Sequence, residues 1–135
     1  MSLVALWLLV AIGGSLGALL RFWLSRFSAW RWGTAIPATL TVNVVGSIIL
    51  GIGLAISSYY QSMPCGDNEI NWSSYAMLEL GFVGGFTTFS AFAVELRGLV
   101  PTYWVRALLY MLASVLGSVA GLIIGYIVGG TVMYG

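Results

Sequence analysis

The sequence predicts an all-α integral membrane protein that crosses the bilayer four times. Of its 135 residues, 60% are hydrophobic and 7% are charged, whereas a soluble domain carries roughly a quarter charged residues. Apolar stretches recur along the chain, each reaching the roughly 20 residues that a helix needs to span the hydrocarbon core. The connections between them are short, so we expect residues 1–135 to form a single four-helix transmembrane domain.

The predicted spans are about 3–24, 36–59, 74–96 and 104–129. The first is apolar from Leu3 to Leu20, has no basic residue ahead of it and is closed by Arg21. This pattern favours a retained helix over a signal peptide. Indole rings prefer the level of the lipid head groups, and tryptophans occur near the ends of the spans, at Trp7, Trp23, Trp72 and Trp104.

The second span carries one narrow polar stripe. Thr39, Asn43, Ser47 and Gly51 follow each other at four-residue intervals on a helix that is otherwise rich in valine, isoleucine and leucine. The Asn43 amide offers two hydrogen-bond donors and one acceptor without net charge. A hydrogen bond between helices and the lining of a polar pathway are equally open interpretations of this stripe.

The third span contains the stretch GFVGGFTTFSAF at 81–92, which is poor material for an unbroken helix. A glycine pair, Gly84 and Gly85, lies close to mid-membrane and predicts a sharp break, with Thr87 or Thr88 as the N-cap of a second half-helix. Backbone groups exposed by a break at this depth must be buried in protein or line a cavity. The Gly84–Thr88 stretch is therefore a candidate ion-coordinating element.

Phe89 and Phe92 follow the predicted break and share one helical face. The edge of a phenyl ring is electropositive, so rings turned edge-on can favour an anion without a fixed charge. Core packing is the ordinary role of two phenylalanines at this spacing.

The last span combines a hydroxyl ladder with a glycine stripe. Tyr110, Ser114 and Ser118 share a face, where hydroxyl groups can replace the water molecules around an ion. Four glycines of the last span recur every fourth residue and permit close helix packing. Two glycines of the first span, also four residues apart, do the same. These positions are Gly117, Gly121, Gly125 and Gly129, with Gly13 and Gly17 in the first span. Packing within one subunit and self-association both remain open for them.

The few charged residues restrict the possible functions. The chain has no histidine and one cysteine, Cys65, which argues against an intramolecular disulfide and a Cys/His metal site. Arg21 and Glu95 are expected toward the same side of the membrane, where they can pair, and Glu79 is expected near the opposite interface. A net charge of +1 points to no nucleic-acid partner.

Three motifs resemble the small bacterial fluoride channels of the Fluc or CrcB family. They are GGSLGALLRF at 13–22, TLTVNVVGSIILG at 39–51 and GFVGGFTTFSAFAVE at 81–95. The resemblance runs through all four spans in order. It implies an antiparallel, dual-topology homodimer of four-helix subunits in the bacterial inner membrane. Two narrow pores in such a dimer export fluoride passively and exclude chloride, which reduces cytoplasmic fluoride toxicity.

The resemblance also implies roles for particular residues. Asn43 matches the pore asparagine that donates to fluoride, Phe89 and Phe92 match the two pore phenylalanines, and a hydroxyl track lines the rest of the route. The residues of this track are Tyr110, Ser114 and Ser118. We also expect Thr39 to line the pore.

A central structural Na⁺ ion is implied at the dimer interface, held by the backbone carbonyls of Gly84 and Thr87 from both subunits. Oxygen-only ligation suits such a hard cation. Arg21 and Glu95 are assigned structural roles.

The chain departs from the family pattern in two respects. Ala91 and Ala93 stand where hydroxyl residues are commoner, so a polar contact near Phe92 is missing or replaced. All five arginines lie on or near one side of the predicted topology, which favours a single orientation with the termini outside. Either this arginine bias is too weak to fix the orientation in which the chain inserts into the membrane, or the chain pairs with an oppositely oriented relative.

Other classes of membrane protein explain fewer of these features. A small multidrug exporter needs a carboxylate at mid-membrane, ordinarily in the first span, and Leu3–Leu20 contains none. A non-transporting membrane subunit accounts for the glycines but not for two polar stripes and a broken helix. An enzyme is disfavoured because the sequence offers no nucleophile–base pair and no metal-ligand set.

Overall fold

The computed structural model describes residues 3–62 and 75–135, and it is helical almost throughout. Helix α1 covers Leu3–Trp32 and α2 covers Ile36–Ser62. The third apolar segment begins with a π-helix at Ala76–Val83, continues into the single turn α3 at Gly84–Phe86, and resumes as α4 at Ser90–Leu99. Helix α5 covers Trp104–Tyr134. Cys65 and the predicted start of the third span at residue 74 lie outside the described residues.

Four helical segments in the described ranges are long and apolar enough to cross a membrane. They are Leu3–Trp32, Ile36–Tyr60, Met77–Leu99 and Trp104–Met133. The predicted all-helical, four-span architecture is thereby confirmed. The first helix continues eight residues beyond the predicted end at residue 24, as far as Trp32. It stops at Gly33, whose φ of 71° is easily reached only by glycine and whose N–H donates to the Ala29 carbonyl at 2.9 Å.

The glycine stripes pack helices together within the subunit. A Cβ on Gly13 would collide with the Met77 carbonyl, and one on Gly17 would collide with the Phe82 carbonyl, so α1 lies directly against the π-helix. On the other side, a Cβ on Gly125 would collide with the Ile48 carbonyl, so α5 lies directly against α2. The structure therefore assigns these glycines to packing within one chain, one of the two alternatives that the sequence left open.

The helical backbone of the third segment is interrupted at Thr87 and Thr88. Thr87 is extended, with φ −76° and ψ 159°, and the next helix begins at Ser90. Gly84, by contrast, has the helical angles φ −61° and ψ −36° and lies inside a turn. The interruption thus lies at the C-terminal end of the Gly84–Thr88 stretch singled out in the sequence, and not at the glycine pair itself. The Thr88 hydroxyl accepts the Ala91 N–H at 3.3 Å, a bond of the kind that starts a helix.

Candidate functional site

The side chain of Asn43 occupies the interruption in the third segment. Its amide oxygen accepts the Thr88 N–H at 2.8 Å, and its amide nitrogen donates to the Thr88 carbonyl at 2.9 Å. A non-helical backbone buried in an apolar protein needs such partners, because an unmade hydrogen bond there costs about 1–3 kcal/mol. One amide proton of Asn43 is left over from these two bonds.

A cavity of about 570 Å³, lined by both apolar and polar side chains, adjoins this pair. It lies between α2, the interrupted segment and α5, and opens on the surface of the subunit. Its walls bring together five of the residues predicted to line a pore: Asn43, Phe89, Phe92, Ser114 and Ser118. Three helices far apart in the chain therefore place their predicted site residues around one space. Ser47, the next member of the polar stripe on α2, also lines it.

The two serines of α5 present unoccupied hydroxyls to the cavity. Ser47 on α2 donates to the Asn43 carbonyl one turn back at 2.8 Å, as serines in membrane helices commonly do. Neither Ser114 nor Ser118 makes a hydrogen bond with the described part of the chain, and both line the cavity. Their O–H groups are therefore available to a ligand.

The two phenylalanines of the site differ sharply in exposure. Phe89 is 78% exposed and Phe92 is 8% exposed, although their ring centroids lie only 5.7 Å apart. On its other side Phe92 meets the Tyr110 ring at a centroid distance of 5.3 Å and an interplanar angle of 52°. Phe92 is thus fixed by its neighbours, whereas Phe89 projects from the subunit beside the cavity mouth.

The structure places Thr39 and Tyr110 on the carboxylate of Glu95 and not on the cavity wall. The Thr39 hydroxyl donates to Glu95 Oε1 at 2.8 Å, and the Tyr110 hydroxyl donates to Glu95 Oε2 at 2.6 Å. Glu95 therefore joins α2, α4 and α5 just beyond Phe92. Charge-assisted bonds of this length are stronger than bonds between neutral groups.

The predicted pairing of Arg21 with Glu95 is wrong. The Nε of Arg21 donates instead to the Gly85 carbonyl at 3.2 Å. This carbonyl lies close to the interruption, where the backbone has lost helical partners. The α1 helix brings Arg21 to it because glycines allow α1 to approach the third segment closely.

Two further carbonyls at the interruption lack hydrogen-bond donors. In a continuous helix the Thr88 N–H would bond to Gly84 and the Ala91 N–H to Thr87. These N–H groups bond instead to Asn43 and to the Thr88 hydroxyl. No hydrogen bond from the described residues reaches the carbonyl oxygens of Gly84 and Thr87, and Gly84 is exposed on the subunit surface.

Glu79 lies in the first turn of the π-helix and is buried against α2. It is 9% exposed, and its carboxylate rests directly against Gly53 of α2, where a Cβ would collide with it. Its Oε2 atom has no hydrogen-bond partner in the described structure. No local sequence pattern signals this contact, because it depends on the absence of a side chain at Gly53.

These features define a multi-pass membrane protein with a cavity beside an interrupted helix, into whose walls polar side chains are set. Residues 8–126 match the family model described as CrcB-like protein, Camphor Resistance (CrcB). The chain belongs to the CrcB family, as its motifs predict.

Several proteins similar in sequence bear a name that states a function. The chain is 37% identical over 107 residues to the "Fluoride-specific ion channel FluC" of Roseiflexus sp. (strain RS-1), covering 78% of this chain and 81% of the relative. It is 34% identical over 129 residues to a protein of the same name from Thermus thermophilus, covering 94% of this chain and 95% of the relative. A relative from Aeromonas salmonicida (strain A449) bears that name too and is 41% identical over 90 residues, 66% of each chain.

Proposed function

We propose that this chain forms a passive, fluoride-selective ion channel. The observation that carries the proposal is the convergence of Asn43, the two phenylalanines and the two free serine hydroxyls on one cavity. All of these groups offer partial positive charge to an anion, and none carries a full charge. The relatives named as fluoride-specific channels support the choice of ion.

Neutral donors suit conduction of a small, strongly hydrated anion. Fluoride must exchange its water shell for protein donors at each step, and each site must bind weakly enough to release it. Ser114 and Ser118 supply hydroxyl donors one helical turn apart, and Asn43 has one free amide proton facing the same space. The ring edges of Phe89 and Phe92 add weak attraction without the trapping effect of an arginine.

Chloride would be excluded by size and by hydration. A larger, more weakly hydrated ion gains less from fixed hydroxyl and amide donors, and it would have to displace the packed ring of Phe92. The Thr39–Glu95–Tyr110 cluster lies just beyond this ring. The hydroxyl protons of Thr39 and Tyr110 are held by the Glu95 carboxylate. A fluoride ion that reached the cluster would have to compete with Glu95 for them.

The functional unit in this proposal is an antiparallel, dual-topology homodimer with two pores, with the third membrane helix broken at Thr87 and Thr88. The cavity of one subunit is open at its side, and Phe89 projects there with 78% of its surface exposed. A second copy would close the cavity and cover this ring. Opposite orientation would give each of two equivalent pores the same set of residues.

The free carbonyls of Gly84 and Thr87 fit a structural Na⁺ ion at the centre of such a dimer. Sodium is a hard cation that prefers oxygen ligands, and these oxygens have no competing donors in the described chain. Two subunits would contribute two carbonyls each. The bound ion would neutralise the backbone dipoles left unpaired at the interruption and would hold the subunits together.

In the cell the channel would lie in the inner membrane of a bacterium and lower cytoplasmic fluoride. The acid form of fluoride crosses membranes as a neutral molecule and dissociates inside, so a conductance for the anion alone provides an exit. The process needs no energy source other than the fluoride gradient.

Efflux from liposomes tests the proposed function. Purified protein is reconstituted in vesicles loaded with fluoride or chloride, and each ion is followed with a selective electrode. We expect fluoride to leave much faster than from empty vesicles and chloride to remain. Equal release of both ions, or release of neither, would contradict the proposal.

The same preparation tests the assembly. A single purified chain that conducts shows that no oppositely oriented relative is needed, and cross-linking at Phe89→Cys reports whether two copies meet beside the cavity. Replacing Na⁺ by a large organic cation throughout purification should abolish efflux and weaken the dimer. Full activity without Na⁺ would remove the ion from the proposed structure.

A further inference from the structure

The C-terminal part of α1 carries a cavity lined by aromatic rings and by Arg26. The cavity holds about 470 Å³ and is lined by Trp23, Arg26, Phe27, Ala29 and Trp30. Four of these positions follow the spacing i, i+3, i+4 and i+7, so they form one face of the helix. Ser28 points the opposite way and is 1% exposed. The cavity therefore faces away from the helix bundle of its own subunit.

The depth of this cavity follows from the contact between Arg21 and Gly85. Gly85 lies near the middle of the third span, Met77–Leu99, and Arg21 reaches its carbonyl. A helix rises about 1.5 Å per residue, so Arg26 lies about 7.5 Å and Trp30 about 13.5 Å farther along α1. Half of the hydrocarbon core measures about 15 Å. The cavity thus lies in the outer part of one leaflet, directly beneath the head groups.

Arg26 needs a negatively charged partner at this depth. It is exposed and forms no ion pair or hydrogen bond with the residues that the structure describes. A guanidinium in or near hydrocarbon is stabilised by reaching the interface or by pairing with an anion. The phosphate of a lipid head group is the anion available there, and the planar guanidinium binds phosphate with two parallel hydrogen bonds.

The surrounding charge favours a lipid with net negative charge over a zwitterionic one. Glu95 bonds to both Thr39 and Tyr110, so the start of α2, the end of α4 and the start of α5 meet at the same side of the bundle. The end of α1 lies there too, because only three residues separate Trp32 from the start of α2 at Ile36. That side carries four of the five arginines of the chain: Arg26, Arg31, Arg97 and Arg106. Clusters of basic residues at one membrane face attract anionic head groups.

We infer that the cavity formed by Trp23, Arg26, Phe27 and Trp30 binds the phosphate head group of one anionic phospholipid per subunit. Arg26 binds the phosphate. The indole rings of Trp23 and Trp30, which prefer the interface, hold the glycerol region on either side of it. The site shares no lining residue with the cavity beside Asn43 and is independent of the ion that the protein conducts.

Native mass spectrometry of the full-length protein tests this site. The protein in detergent is mixed with equal amounts of phosphatidylglycerol and phosphatidylcholine, and the retained lipids are counted per subunit. We expect one phosphatidylglycerol per subunit to be retained in preference to phosphatidylcholine. Arg26→Gln should weaken retention about tenfold, because a hydrogen-bonded charge pair is lost, and Arg26→Lys should have an intermediate effect.

Arg97→Gln is the matched control, since it removes the same charge from the same side of the protein without touching the cavity. It should change retention less than twofold. If Arg26→Gln proves unstable, Trp23→Leu and Trp30→Leu remove the cavity walls and leave the charge, and each should lower retention. Equal retention of both lipids by the native chain, or equal losses in Arg26→Gln and Arg97→Gln, would overturn the inference. If Arg26→Gln changed the number of subunits in the complex and left the number of retained lipids per subunit unchanged, the inference would also be overturned. Arg26 would then belong to a contact between subunits.

Discussion

Asn43 and Thr88, 45 positions apart in the chain, form a reciprocal pair of hydrogen bonds at 2.8 and 2.9 Å. Through this pair one side chain of α2 takes the place of two backbone partners missing at the interruption of the third segment. Asn43 also lines the cavity between α2, the interrupted segment and α5. Asn43 therefore connects the stability of the interrupted helix with the proposed ion pathway.

Replacing Asn43 should impair fluoride efflux and stability together. Asn43→Asp keeps an acceptor for the Thr88 N–H but loses both donors and adds a negative charge beside the pathway. We expect efflux to fall at least about tenfold, since a hydrogen bond to an ion contributes about 1.5–3 kcal/mol. The control is Thr41→Ala on the same helix, whose hydroxyl is exposed and bonds only to the Pro37 carbonyl. Normal efflux through Asn43→Asp would remove Asn43 from the pathway.

The two phenylalanines should respond differently to replacement by isoleucine. Both Phe89→Ile and Phe92→Ile remove a ring edge and should abolish or greatly slow fluoride efflux. Only Phe92→Ile should also lower the thermal stability of the subunit, because Phe92 is 8% exposed and Phe89 is 78% exposed. Phe22→Ile, at an exposed position of α1, serves as the control. Unchanged efflux in both pore variants would leave the rings with a packing role alone.

Ser114 and Ser118 offer a test that separates conduction from folding. Because neither hydroxyl bonds to the described protein, Ser114→Ala and Ser118→Ala should leave the melting temperature within about 2 °C of the native value. Fluoride efflux should nevertheless fall several-fold in each variant and further in the double variant. A clear drop in stability with unaltered efflux is the opposite pattern, and it would show that the hydroxyls are structural.

Glu95 should contribute strongly to the stability of the helix bundle. Glu95→Ala removes two hydrogen bonds, to Thr39 and Tyr110, and leaves two buried hydroxyls without their acceptor. We expect a loss of about 2–4 kcal/mol in the free energy of unfolding, measured by thermal or denaturant unfolding in detergent. Glu95→Gln retains one acceptor oxygen and should cost less. Equal stability of Glu95→Ala and the native chain would contradict the role of Glu95 as a junction between helices.

Glu79 should be a position at which the natural residue is not the most stable one. Its Oε2 atom is buried without a partner, so Glu79→Met should raise the free energy of unfolding by about 1–3 kcal/mol. Glu79→Gln keeps a polar atom in the same place and should gain little. Destabilisation by Glu79→Met equal to that of a large-to-small core substitution would show that the carboxylate has an essential partner.

The sequence by itself determined the class of protein, and it predicted five residues that the structure brings to one cavity. Four continuous apolar stretches of about 20 residues each cross lipid as helices, because a helix satisfies its backbone hydrogen bonds within one segment. Spacing at four-residue intervals placed Ser114 and Ser118 on one face of α5, since helical periodicity is a local property. Motifs local to single helices likewise identified Asn43, Phe89 and Phe92.

The tertiary structure decided which partners these residues have. The sequence singled out the Gly84–Thr88 stretch, and the structure shows that Asn43, a side chain from another helix, supplies the bonds lost at Thr88. The proposed pairing of Arg21 with Glu95 failed because Gly13 and Gly17 bring α1 close to the free carbonyl of Gly85, while Thr39 and Tyr110 occupy the carboxylate of Glu95. Such contacts depend on distances between helices, and periodicity within one helix carries no information about them.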